Sequence, residues 1–218
     1  QAKTLFPYTT LFRSALTGTA EASSAVEVSF TGGVRNVVAD GSGNWTYTLT
    51  KADVTAMGQG TKTLTVKATD SAGNAGVPVT RDITVDTSAP VNSSFSLEVA
   101  SDSGTKGDGK SNVAAPTVQF TAEAGATLTI DWGNGSGPVA AGTGTGALQS
   151  VLAPTGYLTN GIKTIVVSAT DSAGNVTTRT GSYVFDSAAP NAPVISTVAG
   201  NDNINASEQT AAISGTAE

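Results

Sequence analysis

No cysteine and no histidine occur among the 218 residues of this chain, and only 13% of them are charged. Without cysteine there are no disulfides, so burial or a bound ion must hold any folded unit together. Without histidine as well, the commonest general base, the activated thiol and the usual nitrogen and sulfur ligands of zinc are all missing. The glycine-rich stretches Gly133 to Gly137 and Gly142 to Gly146 have no Lys-Ser/Thr and no helix behind them, which excludes a phosphate loop. Apolar runs are too short to cross a bilayer as a helix. Basic residues are also scarce, 11 Lys and Arg against 17 Asp and Glu for a formal net charge of −6. No basic stripe interleaved with aromatics offsets that balance, so nucleic acid is not an expected partner. An enzyme is not expected either.

What the chain does have is repetition. Ala-Thr-Asp-Ser-Ala-Gly-Asn stands at Ala68 to Asn74 and again at Ala169 to Asn175, 101 positions apart. Thr19-Ala20-Glu21 recurs as Thr121-Ala122-Glu123, and Asp86-Thr87-Ser88-Ala89-Pro90 as Asp186-Ser187-Ala188-Ala189-Pro190. A period of about 100 residues is one small domain with its own core, far longer than a solenoid repeat. A further copy is expected to begin near the end, where Ser214-Gly215-Thr216-Ala217-Glu218 echoes Thr17-Gly18-Thr19-Ala20-Glu21. Residues 1–14 stand apart: Thr4 to Ser14, TLFPYTTLFRS, resembles the translation of a DNA-sequencing adapter and is set aside from the fold. Removing Lys3 and Arg13 with it leaves 9 basic against 17 acidic residues, a net charge of −8. The expected domains are therefore 15–90, 91–190 and the start of a third at 191–218.

Within the first unit Val26, Val28 and Phe30 alternate with polar neighbours, as do Trp45, Tyr47 and Leu49, then Leu64, Val66 and Ala68, then Ile83 and Val85. A period of two marks half-buried strands. Gly32-Gly33, Asp40 to Asn44, Gly58 to Gly60 and Ser71 to Gly76 supply the turns between them. Lys51 to Met57, short and containing Thr and Val, reads as a loop with at most one helical turn. The second unit repeats the pattern at Val118 and Phe120, Leu128 to Trp132, Ile165 and Val167, and Tyr183 with Phe185. Many short strands with glycine-rich connections and no crossover helix predict an all-β fold of tandem antiparallel β-sandwiches, Ig-like in type.

The strings TLTVKATDSAGN with ITVDTSAP, and IVVSATDSAGN with YVFDSAAPNAPVI, resemble the tandem bacterial Ig-like repeats of very large surface adhesins, including biofilm-associated and RTX-type adhesins. The resemblance runs from Ala15 to the end. It implies a stalk that extends an adhesive tip from a bacterial cell, exported to the surface, with neighbouring repeats of the same chain as its partners.

The oxygen-rich residues gather where units meet. In an Ig-type sandwich the last strand leaves at one end, and the next unit begins at its opposite pole. That pole also carries the loop between its last two strands. Asp86 should therefore approach Asp171, with Asp102, Asp108 and Asn112 of SDSGTKGDGKSN joining them. Such carboxylates repel unless a cation lies between them, and calcium takes six to eight oxygen ligands in irregular geometry. Equally, each Asp can cap its own turn, and no EF-hand loop is present. The resemblance implies calcium at the junction. A second, partial junction set is Asp186, Asp202 and Glu208, while Asp70 is the counterpart of Asp171 with no preceding unit. Two competing functions remain on the residues. One is a glycan- or protein-binding module acting through loops at one pole or through an aromatic face, the latter a sugar-stacking platform that needs Trp132 and Tyr157 exposed near Asn134. The other is an accessory domain of a secreted polysaccharide-active enzyme.

Overall fold

The structure is a computed structural model that describes residues 14–93, 95–156, 159–198, 202–207 and 212–217. Of the segment set aside in the sequence, residues 1–13 lie outside the described residues, as do Tyr157 and Glu208. The chain divides between Ser88 and Ala89 into two compact units.

The first unit contains β1 (Ala15–Thr19), β2 (Ala25–Phe30), β3 (Gly33–Val38), β4 (Asn44–Thr48), α1 (Lys51–Met57), β5 (Gly60–Thr69) and β6 (Val79–Val85). β3, β2, β5 and β6 form one antiparallel sheet in that order, and β1 pairs with β4 in a second. Alternation places Val26, Val28, Phe30, Trp45, Leu64 and Val85 between the layers, with Leu49 and Met57 closing one end.

α1 corrects the expectation of a loop. Thr50 accepts a hydrogen bond from the Asp53 backbone N–H, while the Asp53 side chain accepts one from the Thr50 N–H, a reciprocal capping box that starts two helical turns. The weak propensities of Thr55 and Val54 are outweighed by that cap and by burial of Met57.

The second unit contains β7 (Ser96–Leu97), β8 (Lys110–Ser111), β9 (Thr117–Thr121), β10 (Thr127–Asp131), β11 (Val139–Thr143), β12 (Leu148–Leu152), β13 (Gly161–Thr170) and β14 (Val176–Phe185). One sheet has the order β11-β10-β13-β14-β8 and the other β12-β9-β7. All pairings are antiparallel except the two-residue parallel bridge of β8 to β14, which departs from the purely antiparallel expectation. Val118, Phe120, Leu128, Ile130, Trp132, Ile165, Val167, Tyr183 and Phe185 form the core. Trp132 is 1% exposed, so the sugar-stacking platform that required its face in solvent is not there. The chain bends sharply behind it at Gly133, whose φ of +69° and close approach to the Thr164 backbone leave no room for a Cβ. Beyond the second sandwich, β15 (Val194–Ile195) pairs antiparallel with β16 (Gly215–Thr216).

Candidate functional site

The repeated heptapeptide forms the same hairpin tip twice. After β13, one Asp171 carboxylate oxygen accepts backbone N–H bonds from Ala173 at 2.8 Å and Asn175 at 2.9 Å, and the other accepts the Asn175 side-chain amide at 2.8 Å. After β5, Asp70 does the same with Ala72 at 2.9 Å, the Asn74 backbone at 2.8 Å and the Asn74 side chain at 2.8 Å. These bonds favour the charged form: the side-chain amide of Asn175 foremost holds Asp171, and that of Asn74 holds Asp70, below the usual carboxylate range. Asp40 in Asp-Gly-Ser-Gly-Asn caps the turn before β4 in the same way, through Ser42 and Asn44. Aspartate and asparagine four residues apart, around glycine, are thus the recipe for a rigid turn with an anionic tip.

The exits from the units are also built alike. Asp86 accepts from the Ser88 N–H at 3.0 Å, and Asp186 from the Ala188 N–H at 2.9 Å. Gln59 holds Thr87 at the first exit, and Asn160 holds Ser187 at the second, by backbone bonds of 3.0 and 3.1 Å.

Asp102, Asp108 and Asn112 belong to the loop between β7 and β9, which lies against the exit end of β14. Val184 and Phe185 pair with Lys110 and Ser111 there, and the Asp186 N–H donates to the Ser111 carbonyl at 2.9 Å. Asp171 stands at the other end of β14, ten residues and roughly 30 Å of extended strand away. Within the second unit, therefore, the structure brings Asp102, Asp108, Asn112 and Asp186 to one end and sets Asp171 at the other.

In that loop Asp108 accepts from the Lys110 N–H at 2.9 Å, and the Asn112 N–H donates to the Ser103 hydroxyl at 2.9 Å. Asp102 is buried; one of its oxygens accepts from the Gly107 N–H, while Oδ1 has no hydrogen-bond partner. Lys106 arches over the loop to the carbonyls of Val99 and Asp102. Asp202 closes a separate turn by accepting from the Val198 N–H at 2.9 Å. Among the described residues, no three carboxylates converge closely enough to hold a metal by themselves. The donor set is nevertheless all oxygen, and the buried, unpartnered Asp102 Oδ1 is an atom that a hard cation would satisfy.

One charged centre escaped the sequence reading. Asp53 is completely buried and gathers the Arg35 guanidinium at 2.5 Å, the Tyr47 hydroxyl at 2.5 Å and the Thr50 hydroxyl and N–H at 2.8 Å. Burial pushes its carboxyl up, but the bonds from Tyr47, Thr50 and Arg35 together outweigh that and hold it well below the ordinary range. Its signal was Thr50-x-x-Asp53, a capping-box spacing ahead of Val54 and Met57.

Residues 8–87 and 89–187 each match the family described as bacterial Ig-like domain. No curated protein matches the chain. Among solved structures, the chain is similar to one described as a Ca2+-stabilized adhesin that helps an Antarctic bacterium reach out and bind ice, with 25% identity and a TM-score of 0.45 over 94% of this chain and 52% of that one. It is similar to a structure concerned with host cell surface retention of a 1.5-MDa bacterial ice-binding adhesin, at 22% identity and a TM-score of 0.39, covering 94% of this chain and 68% of that one. A third is a tetra-tandem repeat in the extending region of a large adhesion protein, at 21% identity and a TM-score of 0.37, covering 93% and 52%. The chain thus spans about half the length of the first and third of these. No helix among the described residues is long and apolar enough to cross a membrane.

Proposed function

Because the chain belongs to the bacterial Ig-like domain family and carries that domain in two tandem copies, we propose that it is a structural extender, a stalk segment of a bacterial surface or secreted adhesin whose junctions calcium stiffens. The carrying observation is the likeness of the two units' ends: each closes its last hairpin on a capped aspartate, Asp70 or Asp171, and leaves through another, Asp86 or Asp186. A stalk needs this kind of module, since identical ends let any copy succeed any other.

The candidate ligands divide between two junctions. Asp86 and Asp171 supply oxygens where the first unit meets the second. Asp186, with Asp102, Asp108 and Asn112 beside it, serves the junction beyond the second unit, where Asp202 and Glu208 are further candidates. A carboxylate bound to two or three N–H groups keeps lone pairs for a cation, so the turn role and the ligand role are compatible. A linker that bends freely when its carboxylates repel becomes a strut when one ion draws both sides together.

The module has no binding or catalytic role in this proposal. Small-angle scattering of the whole chain tests it: added calcium should lengthen and narrow the particle, and chelator should reverse this. Indistinguishable scattering in the two conditions would remove the stiffened stalk.

A further inference from the structure

Between Asp131 and Lys163 the chain has no charged residue, the longest such stretch in the sequence. The edge strands β11 and β12 of the second sandwich both fall inside it. An edge strand offers a row of unpaired backbone groups to any other strand, and proteins guard such edges with charge, proline, bulges or brevity. β3 carries Arg35, β6 carries Arg81 and Asp82, β8 has two residues including Lys110, and β7 has two. β11 follows Pro138, and its register shifts where it passes Leu128 and Thr129. β12 has none of these guards. Its register with β9 is unbroken from Leu148 to Leu152, and among the described residues it pairs with β9 alone.

The outward side chains of β12 are apolar without a need of the fold. Leu148 and Leu152 are 66% and 62% exposed. In the first unit Thr19 stands opposite Asn44, Thr17 opposite Thr46 and Ala15 opposite Thr48, while in the second Thr121 stands opposite Leu148, Gln119 opposite Ser150 and Thr117 opposite Leu152. The sandwich thus accepts polar residues at all three places. Two leucines held in solvent there point to a partner.

The free edge has a definite register. The Ala153 N–H donates to the Pro116 carbonyl at 2.8 Å, which continues the pairing of β12 with β9, so Gln149 and Val151 bond to β9 as well. The backbone groups of Leu148, Ser150 and Leu152 therefore face away from the sheet. Val151 packs against the core, and Ser150 Oγ accepts from the Gln119 side-chain amide at 3.1 Å.

Leu-x-Ser-x-Leu reads the same in both directions. We infer that β12 pairs antiparallel with β12 of a second copy of this chain, about a two-fold axis through Ser150. Leu148 then stands opposite Leu152 of the second copy and Ser150 opposite its equivalent, and each of these pairs uses the outward groups to exchange both backbone bonds. The choice of a second copy rests on charge as well as on register. Two chains of net charge −6 repel over most of their surfaces, whereas this edge brings no charge against another. The contact is isologous, so it closes as a dimer in which the two strands run in opposite directions. One strand edge is a small interface, and the association is correspondingly weak.

Sedimentation equilibrium of the whole chain in chelator tests this apart from any cation. The mass should rise toward that of a dimer over roughly 10–1,000 μM, the range of a small interface. Leu148→Asn with Leu152→Thr installs residues that the first unit already carries at these places, and it should weaken association by about tenfold or more. Ser150→Pro removes an outward N–H from an edge strand, where proline is accepted, and should abolish the dimer while Trp132 fluorescence stays unchanged. The absence of cysteine gives a further readout: Ser150→Cys places one thiol at the axis and should cross-link on oxidation faster than Thr180→Cys, exposed on β14. A monomer at every concentration would overturn the inference. So would association that survives the double substitution or Ser150→Pro, or cross-linking no faster at Ser150 than at Thr180.

Discussion

Arg35 meets Asp53 at 2.5 Å in the first unit, the carboxylate wholly buried and the guanidinium side chain 37% exposed. The pair ties β3 to the start of α1, and Tyr47 of β4 binds the second carboxylate oxygen. Three elements thus converge on one anion, which closes the end of the sandwich beside the exit at Asp86.

Asp53→Ala leaves Arg35, Tyr47 and the Thr50 N–H without their acceptor. It should destabilise the first unit by about 3–5 kcal/mol, the usual cost of removing one partner of a buried pair. Urea unfolding monitored by Trp45 fluorescence reads the first unit, and the transition reported by Trp132 in the second should stay where it was.

The same centre sets an acid limit. The folded Asp53 carboxyl lies below its ordinary value of 3.8, so its contribution is present above that pH and is lost as the pH falls further. Thermal melts between pH 7 and pH 2 should show the first unit weakening below about pH 4. Asp53→Asn should flatten that decline, and an unchanged profile would show that the acid sensitivity arises elsewhere.

The positions of several strands were legible because period-two alternation survives wherever one face is buried, as at Val26, Val28 and Phe30. The hairpin tips were legible too, since Asp171 and Asn175 sit four residues apart around glycine in both copies. α1 was missed because its stability lies in a cap and in Met57, while its composition is that of a loop. The ends to which Asp102 and Asp108 belong were not legible, because a loop's placement depends on which strand it returns to. Only the bridge of Lys110 and Ser111 to β14 reveals it.

Trp132 distinguishes a packed module from a sugar-binding one. With 1% of its surface exposed, its fluorescence should be blue-shifted and resistant to acrylamide. Trp132→Ala should cost the second unit about 3–5 kcal/mol through the cavity it leaves. A red-shifted, readily quenched Trp132 would restore the exposed aromatic face.

Isothermal titration of calcium into the whole chain, beside Asp86→Ala and Asp171→Ala, addresses the junction most directly. Saturable binding by the parent, weakened about tenfold or more by either substitution, is the predicted result, since each removes a carboxylate from a site of few charged ligands. Identical heats from the parent and both variants would contradict a shared ion and leave two sandwiches joined by an ordinary linker.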